Sequence, residues 1–175
     1  MRFQTEVWER YADSQNRAKR ALRKATAKGT DMKLPVLNDI LDRNKLAYTV
    51  ELGIVEIPVS QIVGIGIDTD RDLYIRDFRP LPSVQSEFAE AWTEIYKQHL
   101  TDTGLVDPIR CCEYLGKFYV MDGKKRVSVL KAHGTMMVRA EVTRFLPELS
   151  EDPQIQSYYE FLKTYEKTGL YQVAF

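Results

Sequence analysis

Pro108-Ile109-Arg110-Cys111-Cys112-Glu113-Tyr114-Leu115-Gly116-Lys117-Phe118-Tyr119-Val120-Met121-Asp122-Gly123-Lys124-Lys125-Arg126 is two apolar runs joined at one glycine and ended by another. β-Branched and aromatic residues flank Leu115-Gly116-Lys117, which predicts a β-hairpin with a Gly-containing turn. Asp122-Gly123 breaks the second strand, and Lys124 to His133 reads as a helix closed by Gly134. A clean alternation follows, with Met136, Val138, Ala140 and Val142 on one face and Met137, Arg139, Glu141 and Thr143 on the other, so a half-buried strand is expected. Hairpin, glycine turn, helix and strand in that order predict an α/β (α+β) fold, a small mixed sheet with packed helices.

Upstream, Tyr48 to Pro58 carries β-branched residues and a terminating proline, the pattern of a strand. Ser83 to about His99 reads as an amphipathic helix on Val84, Phe88, Ala91, Trp92, Ile95 and Tyr96, and Val36 to Arg43 as a shorter one. From Phe3 to about Lys28 there is neither Pro nor Gly, and Val7, Trp8, Tyr11, Ala18, Leu22 and Ala25 fall near a helical period. Past Pro147, Gln154 to Lys167 predicts another helix, and Leu170 to Phe175 a strand that is cut off, as if a longer protein continued beyond it. The expected organisation is a helical extension over residues 1–47, a core over 48–146 and a C-terminal helix and strand over 147–175.

Composition narrows the function classes. With 44% hydrophobic residues the chain can bury one core, and 25 basic against 25 acidic side chains give no overall field toward DNA or an anionic membrane. Any nucleic-acid contact therefore needs a local patch, and Arg17, Arg20, Arg23 and Lys24 on the first helix are the candidates, with a packed, solvated helix face as the alternative. No long apolar run and no signal-like start is present, so no membrane partner and a cytoplasmic protein are expected. Cys111 and Cys112, neighbours on a strand, point to opposite faces and predict quiet, buried thiols.

A strand that stops at Gly123 and feeds a helix opening with Lys124-Lys125-Arg126 has the makings of an anion site, since unpaired N–H groups, the helix dipole and the cations coincide. Arg126 adds a planar fork suited to phosphate. On residues alone, a phosphate site and a basic solvated turn stay open. Three weaker patterns are set aside. Gly64-Ile65-Gly66 lacks a third glycine and reads as a turn; Asp68-Thr69-Asp70-Arg71-Asp72 resembles a calcium loop but has Leu73 where Gly is needed; His99 and His133 lack the spacing of a metal pair or dyad.

Val106-Asp107-Pro108-Ile109-Arg110, Phe118 to Leu130 and Val138 to Val142, with Ile57 to Ile62 as an opening strand, resemble ParB-type N-terminal domains of the ParB/sulfiredoxin superfamily over residues 50–146. The most specific piece is the Gly123 turn with Arg126. The resemblance implies that this turn holds nucleotide phosphates, CTP or ATP/ADP with Mg2+ as a companion ion, through Gly123, Lys124, Lys125 and Arg126. It also implies an arginine from the preceding loop, for which Arg71, Arg76 and Arg79 are available and Arg71, in the polar loop, is preferred. Lys124 stands where ParB proteins have glutamate, sulfiredoxins the reactive cysteine and free-serine kinases histidine, so sulfiredoxin chemistry is not expected. Asp122 is similar to the aspartate before the glycine in the kinases and is the catalytic candidate, with Asp68 and Asp70 as other possible bases. The expected function is a nucleotide-binding module that hydrolyses its ligand or switches on it. A non-catalytic DNA- or partner-binding module and a small-molecule phosphotransferase are the alternatives, and a homodimer stays open.

Overall fold

Alternating β-branched residues and helical stripes produce ten main elements in the computed structural model, which describes residues 2–101 and 103–168. They are α1 (Arg2–Lys28), α2 (Leu37–Ile40), β1 (Leu46–Pro58), β2 (Ile62–Ile65), α3 (Glu87–His99), β3 (Ile109–Tyr114), β4 (Lys117–Asp122), α4 (Lys124–His133), β5 (Met137–Pro147) and α5 (Pro153–Thr168). The five strands form one mixed sheet in the order β1-β5-β3-β4-β2. β3 pairs antiparallel with β4 and parallel with β5; β1 runs antiparallel to β5, and β2 parallel to β4. The fold is therefore mixed α/β, with β3 at its centre.

The hairpin turns tightly because Leu115 and Gly116 both adopt positive φ, at 51° and 78°, the combination that matches strand twist in a two-residue connection. At the far end of α4, Thr135 N–H donates to Leu130 O at 2.9 Å across Gly134, closing the helix in a Schellman-type stop. α3 starts at Glu87, later than the sequence pattern suggests. Ser86 caps it by accepting from Ala89 N–H at 3.2 Å, which leaves Val84 outside. α2 is also shorter than expected: Leu41 is extended, and Asp42 accepts from Asn44 N–H at 3.0 Å to begin a separate 3-10 turn. Met136 precedes β5 and is 80% exposed, so it does not join the inner face. Gly64 and Ile65 form the end of β2 instead of a turn, with Ile65 N–H donating to Pro35 O at 3.0 Å.

One face of the sheet presents Ile57, Ile109, Cys111, Val120, Ala140 and Val142 to the main core. Val127 and Val129 of α4, Phe88, Trp92 and Tyr96 of α3, and Val7 and Tyr11 of α1 pack into the same cluster. Trp92 lies 5.3 Å from both Tyr11, edge-on, and Tyr96, stacked, and its indole N–H donates to Ser128 Oγ at 2.9 Å. The first helix is thus built into the main core by its apolar stripe. Cys112 and Tyr119, on the opposite face, pack with Leu37 and Leu41. A third group joins Leu146 to Tyr158 and Leu162 of α5. The expected strand over 170–175 lies outside the described residues. No helix among the described residues is long and apolar enough to cross a membrane.

Candidate functional site

The hairpin brings the end of β4 beside the start of β3, where Arg110 and Asp122 are register partners, and α4 begins directly after them. Gly123 sits at the N-cap of α4 with φ 103° and ψ 25°, and no side chain caps the helix. The first turn of α4 therefore presents N–H groups that have no intrahelical acceptor. A Cβ at Gly123 would lie 2.7 Å from Ile109 Cγ2 and 3.1 Å from Arg126 Nε. Positive φ and this close approach together explain why glycine stands here.

These groups open onto a cleft of about 340 Å³ that Asp122, Gly123, Lys124, Lys125 and Arg126 share with Asp70, Leu73, Tyr74, Ile95 and Met121. The three cations are held differently. Lys124 Nζ donates to Thr69 O at 2.8 Å and also to Thr69 Oγ1, and lies 3.5 Å from Asp70 Oδ2, so it pins the polar loop to the helix start. Arg126 donates from one terminal nitrogen to Asp107 O at 2.8 Å and Pro108 O at 3.3 Å, and from the other to Asp122 Oδ2 at 3.4 Å. Its fork clamps the start of β3 against the end of β4. Lys125 stands over the Phe88 ring at 5.3 Å, with no carboxylate partner among the described residues, and is the cation freest to meet a ligand.

Asp122, the catalytic candidate, lines this cleft together with Asp70, so two carboxylates flank the cationic turn. Arg71 does not join them. It lies 3.7 Å from both Asp39 and Asp68, and its buried Nε has no hydrogen-bond partner among the described residues. Its place in the polar loop favours it among the three arginines that the resemblance admits, but the ion pairs carry it toward α2. Arg79 pairs instead with Asp77 at 3.0 Å. No group of three or more His, Cys, Asp or Glu able to hold a metal occurs among the described residues. A magnesium ion here would need ligand phosphate oxygens, with Asp70 or Asp122 supplying a carboxylate.

Burial pushes the Cys112 thiol up to about 11, and it raises Cys111 further, which favours the protonated form of both. Two features escaped sequence reasoning. His99 and His133 meet across α3 and α4 with ring centroids 4.7 Å apart; Tyr96 OH lies 3.2 Å from His133 Nδ1, and Thr135 Oγ1 3.1 Å from His99 Nε2. Each closes its own helix, and only helix packing makes them neighbours. The second is Glu113, 2% exposed, whose carboxylate accepts from Arg144, from Tyr158 OH at 2.9 Å and from Gly116 N–H at 2.8 Å. Its place two residues after Cys111 puts it on the inward face of β3, a signal the strand alternation already carried.

No protein-family model matches this sequence, and no curated protein matches it. Among solved structures, the chain is similar to sulfiredoxin from Arabidopsis thaliana at 17% identity, over 61% of this chain and 96% of that chain, with a TM-score of 0.36. A likeness that distant adds no argument about the site or its chemistry.

Proposed function

We propose that this protein binds a phosphate-bearing small molecule, a nucleotide by class, in the cleft at the start of α4. The observation that carries this reading is the uncapped helix start at Gly123, opening into a cleft with Lys124, Lys125 and Arg126 on its wall. Phosphate oxygens would accept from the first-turn N–H groups, Lys125 would supply the available charge, and Lys124 would draw the loop around Thr69 and Asp70 onto the ligand. Leu73, Tyr74, Ile95 and Met121 offer apolar surface to the rest of the molecule. Hydrolysis or transfer of the phosphoryl group would require a carboxylate as base, and Asp122 or Asp70 lines the same cleft.

The test is a thermal-shift screen of the folded chain against CTP, ATP, ADP and GTP, each with and without magnesium. A ligand at a hundred times its Kd adds about 2.7 kcal/mol. For a domain of this size that is a rise of roughly 5–10 °C in Tm. A flat response to all four ligands ends this reading.

A second reading, a DNA-binding module, draws on α1. Lys19, Arg20, Arg23 and Lys24 are exposed and have no carboxylate partner among the described residues, while Arg17 pairs with Asp13 at 2.9 Å. Duplex binding that weakens steeply with salt would support it, and absence of binding at low salt would remove it.

A further inference from the structure

A second cleft, of about 270 Å³, lies between α1, the turn around Asp77 and the later part of α4. Three separate elements aim cations at it: Arg10 and Arg17 from α1, Arg79 from the turn and Lys131 from α4. Asp13 and Asp77 line it too, but each already has a partner, at 2.9 Å to Arg17 and 3.0 Å to Arg79. Arg10 and Lys131 have no carboxylate partner among the described residues. Lys131 lies instead 5.6 Å from the centre of the Phe78 ring, and burial lowers its pKa, with Asp77 offsetting part of that effect. Lys131 is half-buried with only the more distant Asp77 acting on it, so an anion entering the cleft would meet a charge without a direct carboxylate contact.

Two buried serines belong to the lining of the cleft: Ser14 and Ser128 are 7% and 2% exposed. Ser128 Oγ accepts the Trp92 indole proton at 2.9 Å, so its own proton is left to donate. The dipole of α4 accounts for a lysine in its last turn, but it does not account for three arginines converging from α1 and a turn.

We propose that this cleft is a binding site for a small molecule carrying a phosphoryl group, held by Arg10, Arg17, Arg79 and Lys131 with the Ser14 and Ser128 hydroxyls in its lining. Four cations face two carboxylates, so a doubly charged anion neutralises the site. Arg17 and Arg79 can turn their forks from neighbouring aspartates to phosphate oxygens, a bidentate match that lysine cannot make. A duplex backbone would engage exposed cations and would not reach serines buried this deeply.

The experiment titrates inorganic pyrophosphate and, separately, a short DNA duplex into the wild type, the Arg10→Gln/Lys131→Gln double variant and Lys125→Gln, with amide shifts followed by NMR and folding checked by melting. Expected are shifts centred on Ser14, Ser128 and Arg79, a loss of at least tenfold for that event in the double variant, and no change in it with Lys125→Gln. Should the double variant fail to fold, Arg10→Gln alone, an exposed position, should still weaken that event several-fold. No shifts at these residues in folded wild type, shifts there that survive the substitutions within twofold, or shifts there with DNA alone would each overturn the proposal. The Ser14 and Arg79 amides report independently of the α4-start cleft, because neither lies on α4 or in the Thr69–Asp70 loop.

Discussion

Replacing Glu113 by leucine removes one acceptor that serves three donors: the Arg144 guanidinium, the Tyr158 hydroxyl at 2.9 Å and the Gly116 amide at 2.8 Å. The charge-assisted bond to Arg144 contributes roughly 1.5–3 kcal/mol and the two neutral donors about 1 kcal/mol each. The expected loss is thus about 3.5–5 kcal/mol, in line with the roughly 3–5 kcal/mol found when one partner of a buried pair is removed. For a chain of this length that corresponds to a fall in Tm of roughly 7–20 °C. Urea unfolding followed by circular dichroism gives the free energy directly, provided the transition is two-state. The double variant Glu113→Leu/Arg144→Met should recover much of the loss, because the charge left behind is also removed. A loss below about 1 kcal/mol for the single variant would mean that this network does not hold α5 and the hairpin tip together.

Further outcomes follow from the same contacts. Arg126→Ala should lower the melting temperature even without ligand, because it releases Asp107 and Pro108 as well as Asp122, whereas Lys125→Ala gives up only its contact with the Phe88 ring and should lower it less; equal melting of the two variants would contradict the clamp. Both cysteines should react with a thiol reagent far more slowly in the native protein than in denaturant, since burial raises both thiols. His99 has a pKa held below its ordinary 6.5 by burial first and by His133 second. Its contribution to stability is therefore complete above about 6.5 and falls away as the pH drops from there through the lowered folded value. Melting curves from pH 8 to pH 5 should show a steeper decline for the wild type than for His99→Gln, and parallel curves would contradict this.

The hairpin, α4 and β5 were legible because their signals are local: alternation, two glycines and a helical stripe lie within a single run of chain. Element ends were less so. Ser86 and Asp42 set where α3 and the turn after α2 begin, and capping competes with an apolar periodicity that runs on past it. At the candidate site, Gly123 and the three cations were placed by sequence, but their roles were not. That Arg126 grips Asp107 and Pro108, that Lys124 reaches Thr69 and that Arg71 turns to Asp39 are tertiary facts between segments far apart in the chain. The histidine pair and the basic cleft were invisible for the same reason, as each is assembled from separate elements.

The central claim concerns the amides at the start of α4, and amide NMR during titration with the nucleotide giving the largest thermal shift tests it most directly. The account predicts that the largest shifts fall on Gly123, Lys124, Lys125 and Arg126, with Thr69 and Asp70 following because Lys124 couples that loop to the helix. Lys125→Ala should weaken this binding by roughly 1.5–3 kcal/mol, about ten- to a hundredfold, while the fold is kept. Saturable nucleotide binding that leaves those amides unmoved would contradict it.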